Sequence, residues 1–129
     1  MGSNMLQTIK AFREAESYEG PSLIIAYSHC INHGIDMQKG LSQQKLMVEA
    51  GTWPLYRYDP RLVNEGKNPF QLDSKEPDTA KVEQYMYNEV RFKSLRDSNP
   101  EHAADLLGRE IKMVGRRWKE YKYLSERPF

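Results

Sequence analysis

Apolar positions along this chain fall into blocks of different period, and each block predicts its own element. Leu6, Ile9, Phe12 and Ala15 recur at helical spacing. Ser3 or Asn4 stands ahead of them as an N-cap, so a first helix is expected to run to about Ser17, where Gly20-Pro21 stops it. The next block has no helical period. Ser22-Leu23-Ile24-Ile25-Ala26-Tyr27 is short, continuous and partly β-branched, the pattern of a strand covered on both faces in a parallel sheet. A second helix is expected from Asp36 to Ala50, closed by Gly51 in the left-handed conformation; its stripe is weak and Gly40 lies inside it. Trp53 to Tyr58 alternates and carries aromatics, which predicts another strand, nearer an edge because of Pro54.

From Asp59 to Pro77 Pro, Asn, Asp and Lys replace any period. The stretch exceeds the roughly 12–15 residues beyond which structureless loops are uncommon, so it is expected to be an ordered loop packed against something. Helical period returns with Asp78 or Thr79 as the cap of a helix burying Val82, Tyr85, Met86, Val90 and Phe92. Ser98-Asn99-Pro100 then starts a last helix, with Pro in the first turn where its missing N–H costs nothing. Leu107, Ile111, Val114, Trp118 and Tyr121 follow at spacings of four and three, a stripe that needs a partner surface. Two strands and four helices in this order leave sheet edges open and do not close a domain. The expected fold class is therefore α/β, as part of a larger parallel-sheet domain, with residues 1–58 ending that domain, 59–77 an ordered loop and 78–129 an extended helical carboxy terminus.

Composition narrows this picture only a little. The 129 residues suit one domain or a part of one. A net charge of +1 gives no bulk electrostatic case for nucleic acid or an anionic membrane. No run approaches the roughly 20 apolar residues of a bilayer span, and no basic region followed by an apolar core marks a secretory leader. A single cysteine cannot close an internal disulfide and fits a reducing compartment.

Candidate chemistry concentrates in Ser28-His29-Cys30-Ile31-Asn32-His33-Gly34, directly after the first expected strand. Ligands in open parallel sheets bind beyond the carboxyl ends of strands. On residue types alone, Cys30 has four readings. It is a small buried thiol acting as a hydrophobe; a zinc ligand with His29 and His33, needing a further donor such as His102; half of a Cys–His nucleophile pair; or one ligand of a cluster whose other ligands lie elsewhere. The basic stretch Lys112, Arg116, Arg117, Lys119 and Lys122 is interrupted by Glu110 and Glu120 and reads first as a solvated helix face. No glycine-rich phosphate loop and no Ser-His-Asp spacing occur. These residues do not describe a self-sufficient enzyme, and two other readings stand beside a fragment: a non-enzymatic module docking through Leu107–Tyr121, and a small metal or thiol protein using His29, Cys30 and His33.

Three segments in order carry a resemblance: GPSLIIAYSHCINHG (Gly20–Gly34), WPLYRYDPRL (Trp53–Leu62) and GKNPFQLDSKEP (Gly66–Pro77). Together they resemble the carboxy-terminal part of the thiamine-diphosphate-binding domain of pyruvate:ferredoxin (or flavodoxin) oxidoreductases, and the likeness extends to Met1-Gly2 and Glu14-Ala15-Glu16-Ser17. The resemblance implies a cytoplasmic, homodimeric enzyme of anaerobic metabolism. It converts pyruvate and coenzyme A to acetyl-CoA and carbon dioxide, passing electrons through 4Fe–4S clusters to ferredoxin or flavodoxin. It also implies that Cys30 is the fourth thiolate of the cluster nearest the thiamine, three others lying upstream; thiolates are the usual ligands of such clusters. His29, Asn32 and His33 would line that site, with no individual role carried over. The Gly-Asp-Gly…Asn motif for Mg2+ and the diphosphate precedes residue 1. The isolated chain is therefore expected to hold neither thiamine diphosphate nor an intact cluster, and to be inactive without the remaining domains of the same enzyme.

Overall fold

Asn4 opens the first helix as expected: its side-chain oxygen accepts the N–H of Gln7 at 3.2 Å, and α1 runs Met5–Glu16 in the computed structural model, which describes residues 2–128. Its apolar stripe, however, stays largely exposed. Leu6 is 82% and Phe12 54% exposed. Polar bonds attach the helix instead. Gln7 Nε2 donates to Asp73 Oδ2 at 3.1 Å, Arg57 pairs with Glu14, and Arg61 donates to the Ser17 carbonyl at 2.9 Å.

The parallel strand expected at Ser22–Tyr27 is not formed. The segment is extended, but it pairs with no neighbour among the described residues, and Leu23 and Ile25 stand 84% and 69% exposed. A strand exists only through its ladder partners, and none lies beside it among the described residues. The one sheet among the described residues is a short antiparallel ribbon of β1 (Tyr56–Tyr58) and β2 (Phe70–Leu72), in the register Tyr56↔Leu72, Arg57↔Gln71 and Tyr58↔Phe70. The architecture is thus a mixed helical and small-sheet α/β fragment. β1 occupies the end of the strand expected at Trp53–Tyr58, whereas β2 lies inside the expected loop and is too short to show a period. The rest of that loop is ordered, with a 3-10 turn at Pro60–Glu65 capped by Asp59 and with Asn68 Nδ2 donating to the Leu124 carbonyl at 2.7 Å.

The core lies behind the ribbon. Asp36 caps a 3-10 turn (Met37–Lys39) that leads into α2 (Gly40–Glu49), and Gly51 ends the helix at φ +77°. Asp78 likewise caps the next turn, its carboxylate accepting the N–H of Ala80. The single helix expected beyond it is two: α3 (Val82–Tyr87) and α4 (Val90–Ser98), separated by Asn88-Glu89. Val82 and Tyr85 are buried as expected, but Val90 is 54% exposed. The cause of the break is Glu89, 1% exposed and extended at φ −107°, ψ 125°. Its carboxylate accepts from Gln43 Nε2 at 3.1 Å and pairs with Arg91. Burying that charge without partners would cost more than one interrupted helical turn.

Asn99 caps α5 (Pro100–Glu126), accepting the N–H of His102 at 3.2 Å. The long stripe of α5 finds its partner within the chain. Val114 is buried with Met47, Ala50, Leu55, Val82 and Tyr85, and Leu107 and Ile111 pack on that cluster. Tyr121 meets Tyr56 and Phe70 of the ribbon edge-on at 5.3 and 5.8 Å. The stripe is occupied, so it offers no docking face. Of the basic residues on α5, Arg117 is half-buried and donates to the carbonyls of Gly51 and Thr52 at the end of α2, whereas Lys112, Arg116, Lys119 and Lys122 face solvent. No helix among the described residues is long and apolar enough to cross a membrane.

Candidate functional site

The loop that carries Cys30 is gripped at both ends by the helical core. Cys30 itself is extended (φ −135°, ψ 171°) and precedes a 3-10 turn, Ile31–His33. Gly34 closes the turn at φ +65°, where a side chain is strained, and a Cβ there would stand 2.5 Å from the Val90 Cβ. Its carbonyl accepts the Val90 N–H at 3.3 Å, which fastens the loop to the joint between α3 and α4.

His29 holds the other end. Its Nδ1 lies 3.0 Å from Gln44 Nε2, and its ring lies against Gly40. His33 turns the opposite way, with Nδ1 3.3 Å from the Tyr27 hydroxyl and the two rings stacked at 5.9 Å. Tyr27 also packs on Trp53 at 5.3 Å and receives a long hydrogen bond from Arg91. Beneath this layer, burial pushes the Tyr85 phenol well above its usual range, and the Glu89 carboxylate adds to the rise.

This geometry bears on the readings of Cys30. The thiol is free and exposed, not a buried hydrophobe. His29 and His33 are bonded to Gln44 and Tyr27, not turned together. No group of three or more His, Cys, Asp or Glu suited to a metal occurs among the described residues, and His102 sits at the start of α5. A Cys–His nucleophile pair has no support either, since the hydrogen bonds of the flanking rings run to Tyr27 and Gln44. The arrangement offers one accessible thiol on a loop held rigidly from behind. By its chemistry such a donor could serve as a thiolate ligand to a soft metal or iron–sulfur centre.

The residues that sequence reasoning missed are Gln43, Gln44 and Glu89. Gly40, Gln43, Gln44 and Met47 are the buried face of α2, spaced i, i+3, i+4, i+7. The stripe of this helix looked weak because half of it is polar. Gln43 is well satisfied: its amide donates to the Tyr85 carbonyl at 2.9 Å and to Glu89, and its oxygen accepts from Asn88. Gln44 is not. Its Oε1 is buried and has no partner among the described residues, a situation that costs about 1–3 kcal/mol.

Comparison with known proteins bears out the family resemblance for a segment. No family model matches the chain. Over 127 residues, 98% of its length, it is 55% identical to a pyruvate-flavodoxin oxidoreductase of Nostoc sp.. It is 49% identical over 126 residues to the pyruvate:ferredoxin oxidoreductase of Moorella thermoacetica. A mitochondrial pyruvate dehydrogenase (NADP+) of Euglena gracilis matches at 42% over 127 residues, 7% of that protein. The chain spans about a tenth of the length of the first two relatives (10% and 11%).

Proposed function

We propose that this chain works as a segment of a pyruvate:flavodoxin or pyruvate:ferredoxin oxidoreductase, in which Cys30 supplies one thiolate to a 4Fe–4S cluster. The observation that carries the reading is the identity of 55% across 98% of the chain with an enzyme so named; the exposed thiol on an anchored loop supports it. The overall reaction is oxidative decarboxylation: pyruvate and coenzyme A give acetyl-CoA and carbon dioxide, and two electrons pass to the acceptor. When bound, the cluster supplies single-electron transfer. Thiamine diphosphate, Mg2+ and three further cysteines come from parts of the enzyme outside this chain.

The residues present have defined tasks in that assembly. Ser22–Tyr27 joins a parallel sheet as a strand, which would cover Leu23, Ile24 and Ile25, so that residues 1–58 end the thiamine-binding domain. Cys30, at the carboxyl end of that strand, faces the cofactor crevice. Residues 59–77 and the carboxy-terminal helices serve packing and subunit contacts in a homodimer. The relatives' names include both ferredoxin and flavodoxin, so the acceptor is one of these carriers. A free thiol fits a cytoplasmic, reducing setting.

The test exchanges the matching stretch of the Nostoc enzyme for this chain and compares the chimera with its Cys30→Ser form. The chimera should reduce flavodoxin with pyruvate and hold its full iron, whereas Cys30→Ser should lose both iron and rate. An unchanged iron count and rate in Cys30→Ser would sink the assignment.

A further inference from the structure

We propose that Gln44 is a positioning residue for Cys30, acting through His29; the inference rests on the reading of Cys30 as a cluster thiolate. His29 immediately precedes Cys30, so a fixed imidazole fixes the backbone from which the Cys30 Cβ–Sγ bond departs. Gln44 fixes it. The amide nitrogen lies 3.0 Å from His29 Nδ1 and belongs to a side chain only 6% exposed. It stands on α2, one turn before Met47 of the core.

Gly40 completes the seat. It precedes Gln44 by one helical turn, and a Cβ built there would lie 2.2 Å from His29 Nε2 and 2.3 Å from Cε1. Its φ is −54°, ordinary for a helix, so the position needs glycine for room and not for its dihedral freedom. Glycine is the poorest helix former after proline, and here its missing side chain makes room for the His29 ring. The pair at i and i+4 thus holds the ring by one hydrogen bond and one flat backbone surface.

The orphaned oxygen of Gln44 is the second, independent observation. A core position chosen for stability alone would hold a side chain of similar volume without polar atoms, because a half-satisfied buried amide is worse than an apolar one. Gln44 bonds His29 at one amide atom and leaves Oε1 buried without a partner. The polar residue is explained by the ring it holds. Partners behind metal ligands act in this way, orienting the donor atom and tuning the metal.

The experiment uses the full-length Nostoc chimera carrying Gln44→Leu, Gly40→Ala, Met47→Ala or Cys30→Ser. Each is followed by the EPR spectrum of the reduced enzyme, the rate of iron loss to a chelator and the melting temperature. The Cys30→Ser difference spectrum identifies the signal of the cluster concerned. Gln44→Leu and Gly40→Ala should retain that cluster, change its signal and hasten its iron loss about 10-fold. Met47→Ala, which weakens the same helix away from His29, should lower the melting temperature and leave signal and iron loss unchanged. Signal and iron loss unaltered in both Gln44→Leu and Gly40→Ala would overturn the inference, as would Met47→Ala reproducing their effect. If Gln44→Leu fails to fold, Gly40→Ala decides alone. Full iron in Cys30→Ser would remove the premise itself, a different result from a lost cluster in Cys30→Ser beside an unaltered Gln44→Leu.

Discussion

Two apolar stripes of similar make end in opposite environments. On α5, Leu107, Ile111, Val114 and Tyr121 close over α2, α3 and the ribbon, with Val114 1% exposed. On α1, Leu6, Ile9 and Phe12 repeat the same kind of spacing and stay at the surface, as do Leu23, Ile24 and Ile25 after it. The most exposed of these, Leu6 and Leu23, each forgo up to about 1.5–3 kcal/mol by remaining in water. The difference teaches that hydrophobic period reports the need for a partner and is silent about which chain provides it. The scaffold of α2, α3 and α5 is complete in itself. The arm of α1 and residues 21–26 is held by polar tethers through α1, and the chain rejoins the core only at Tyr27, which packs on Trp53.

The sharpest break in that comparison comes from paired substitutions in the chain followed by urea unfolding. Tyr85→Ala, within the scaffold, should cost about 3–5 kcal/mol, whereas Leu6→Ser or Ile25→Ser in the arm should stay within about 0.5 kcal/mol. Equal costs would mean that the arm is packed after all. Next in size is Glu89→Ala, which unpairs Arg91 and removes one acceptor from Gln43. A loss of about 2 kcal/mol is expected, with faster amide exchange at Val90. Gly34→Ala should cost about 1–2 kcal/mol for its left-handed φ alone, read in the same unfolding experiment, and more if Val90 cannot give way.

The smallest effect is electrostatic and separates arm from scaffold by pH. Burial raises the Asp73 carboxyl, but hydrogen bonds from Arg57 and Gln7 outweigh it, and the net value lies below the ordinary 3.8. The Arg61 hydrogen bond likewise lowers Asp59, despite an opposing contribution from burial. A carboxyl depressed in the folded state lends stability above its ordinary value and loses it as pH falls through the folded one. Both groups hold arginines that reach the arm, Arg57 to Glu14 and Arg61 to Ser17. Amide exchange in α1, corrected for its intrinsic rate, should therefore rise below about pH 4 before it rises in α5. Glu49 with Lys81 titrates in the same direction, but that partly exposed pair adds little to a helix already fixed by Met47 and Ala50. Simultaneous loosening of α1 and α5 would count against separate stabilities.

Local signals were legible in the sequence because their causes are local. Asn4 and Asp78 cap where expected, Asn99 caps the last helix at its expected start, and Gly51 turns where expected, whereas Asp36, read as the first residue of the second helix, caps a 3-10 turn ahead of it. The break at Glu89 was not legible, since it depends on Gln43, 46 residues away. β2 was hidden because three residues are too few to show alternation. The pattern at Ser22–Tyr27 read as a strand, but the segment pairs with no neighbour among the described residues. Cys30 stood out by its place after that pattern, and the family resemblance named its chemistry. Gln44 stayed invisible, because a buried amide on an apolar stripe looks like a defect until the ring it holds is seen.

The exposure of Cys30 in this chain and its proposed ligation in the whole enzyme can be set against each other in one alkylation measurement. Iodoacetamide should modify Cys30 readily in the isolated chain. In the iron-loaded Nostoc chimera the same thiol should be protected, and it should become reactive once the iron is removed with a chelator. Equal modification of Cys30 in the isolated chain and in the iron-loaded enzyme would contradict its role as a cluster thiolate.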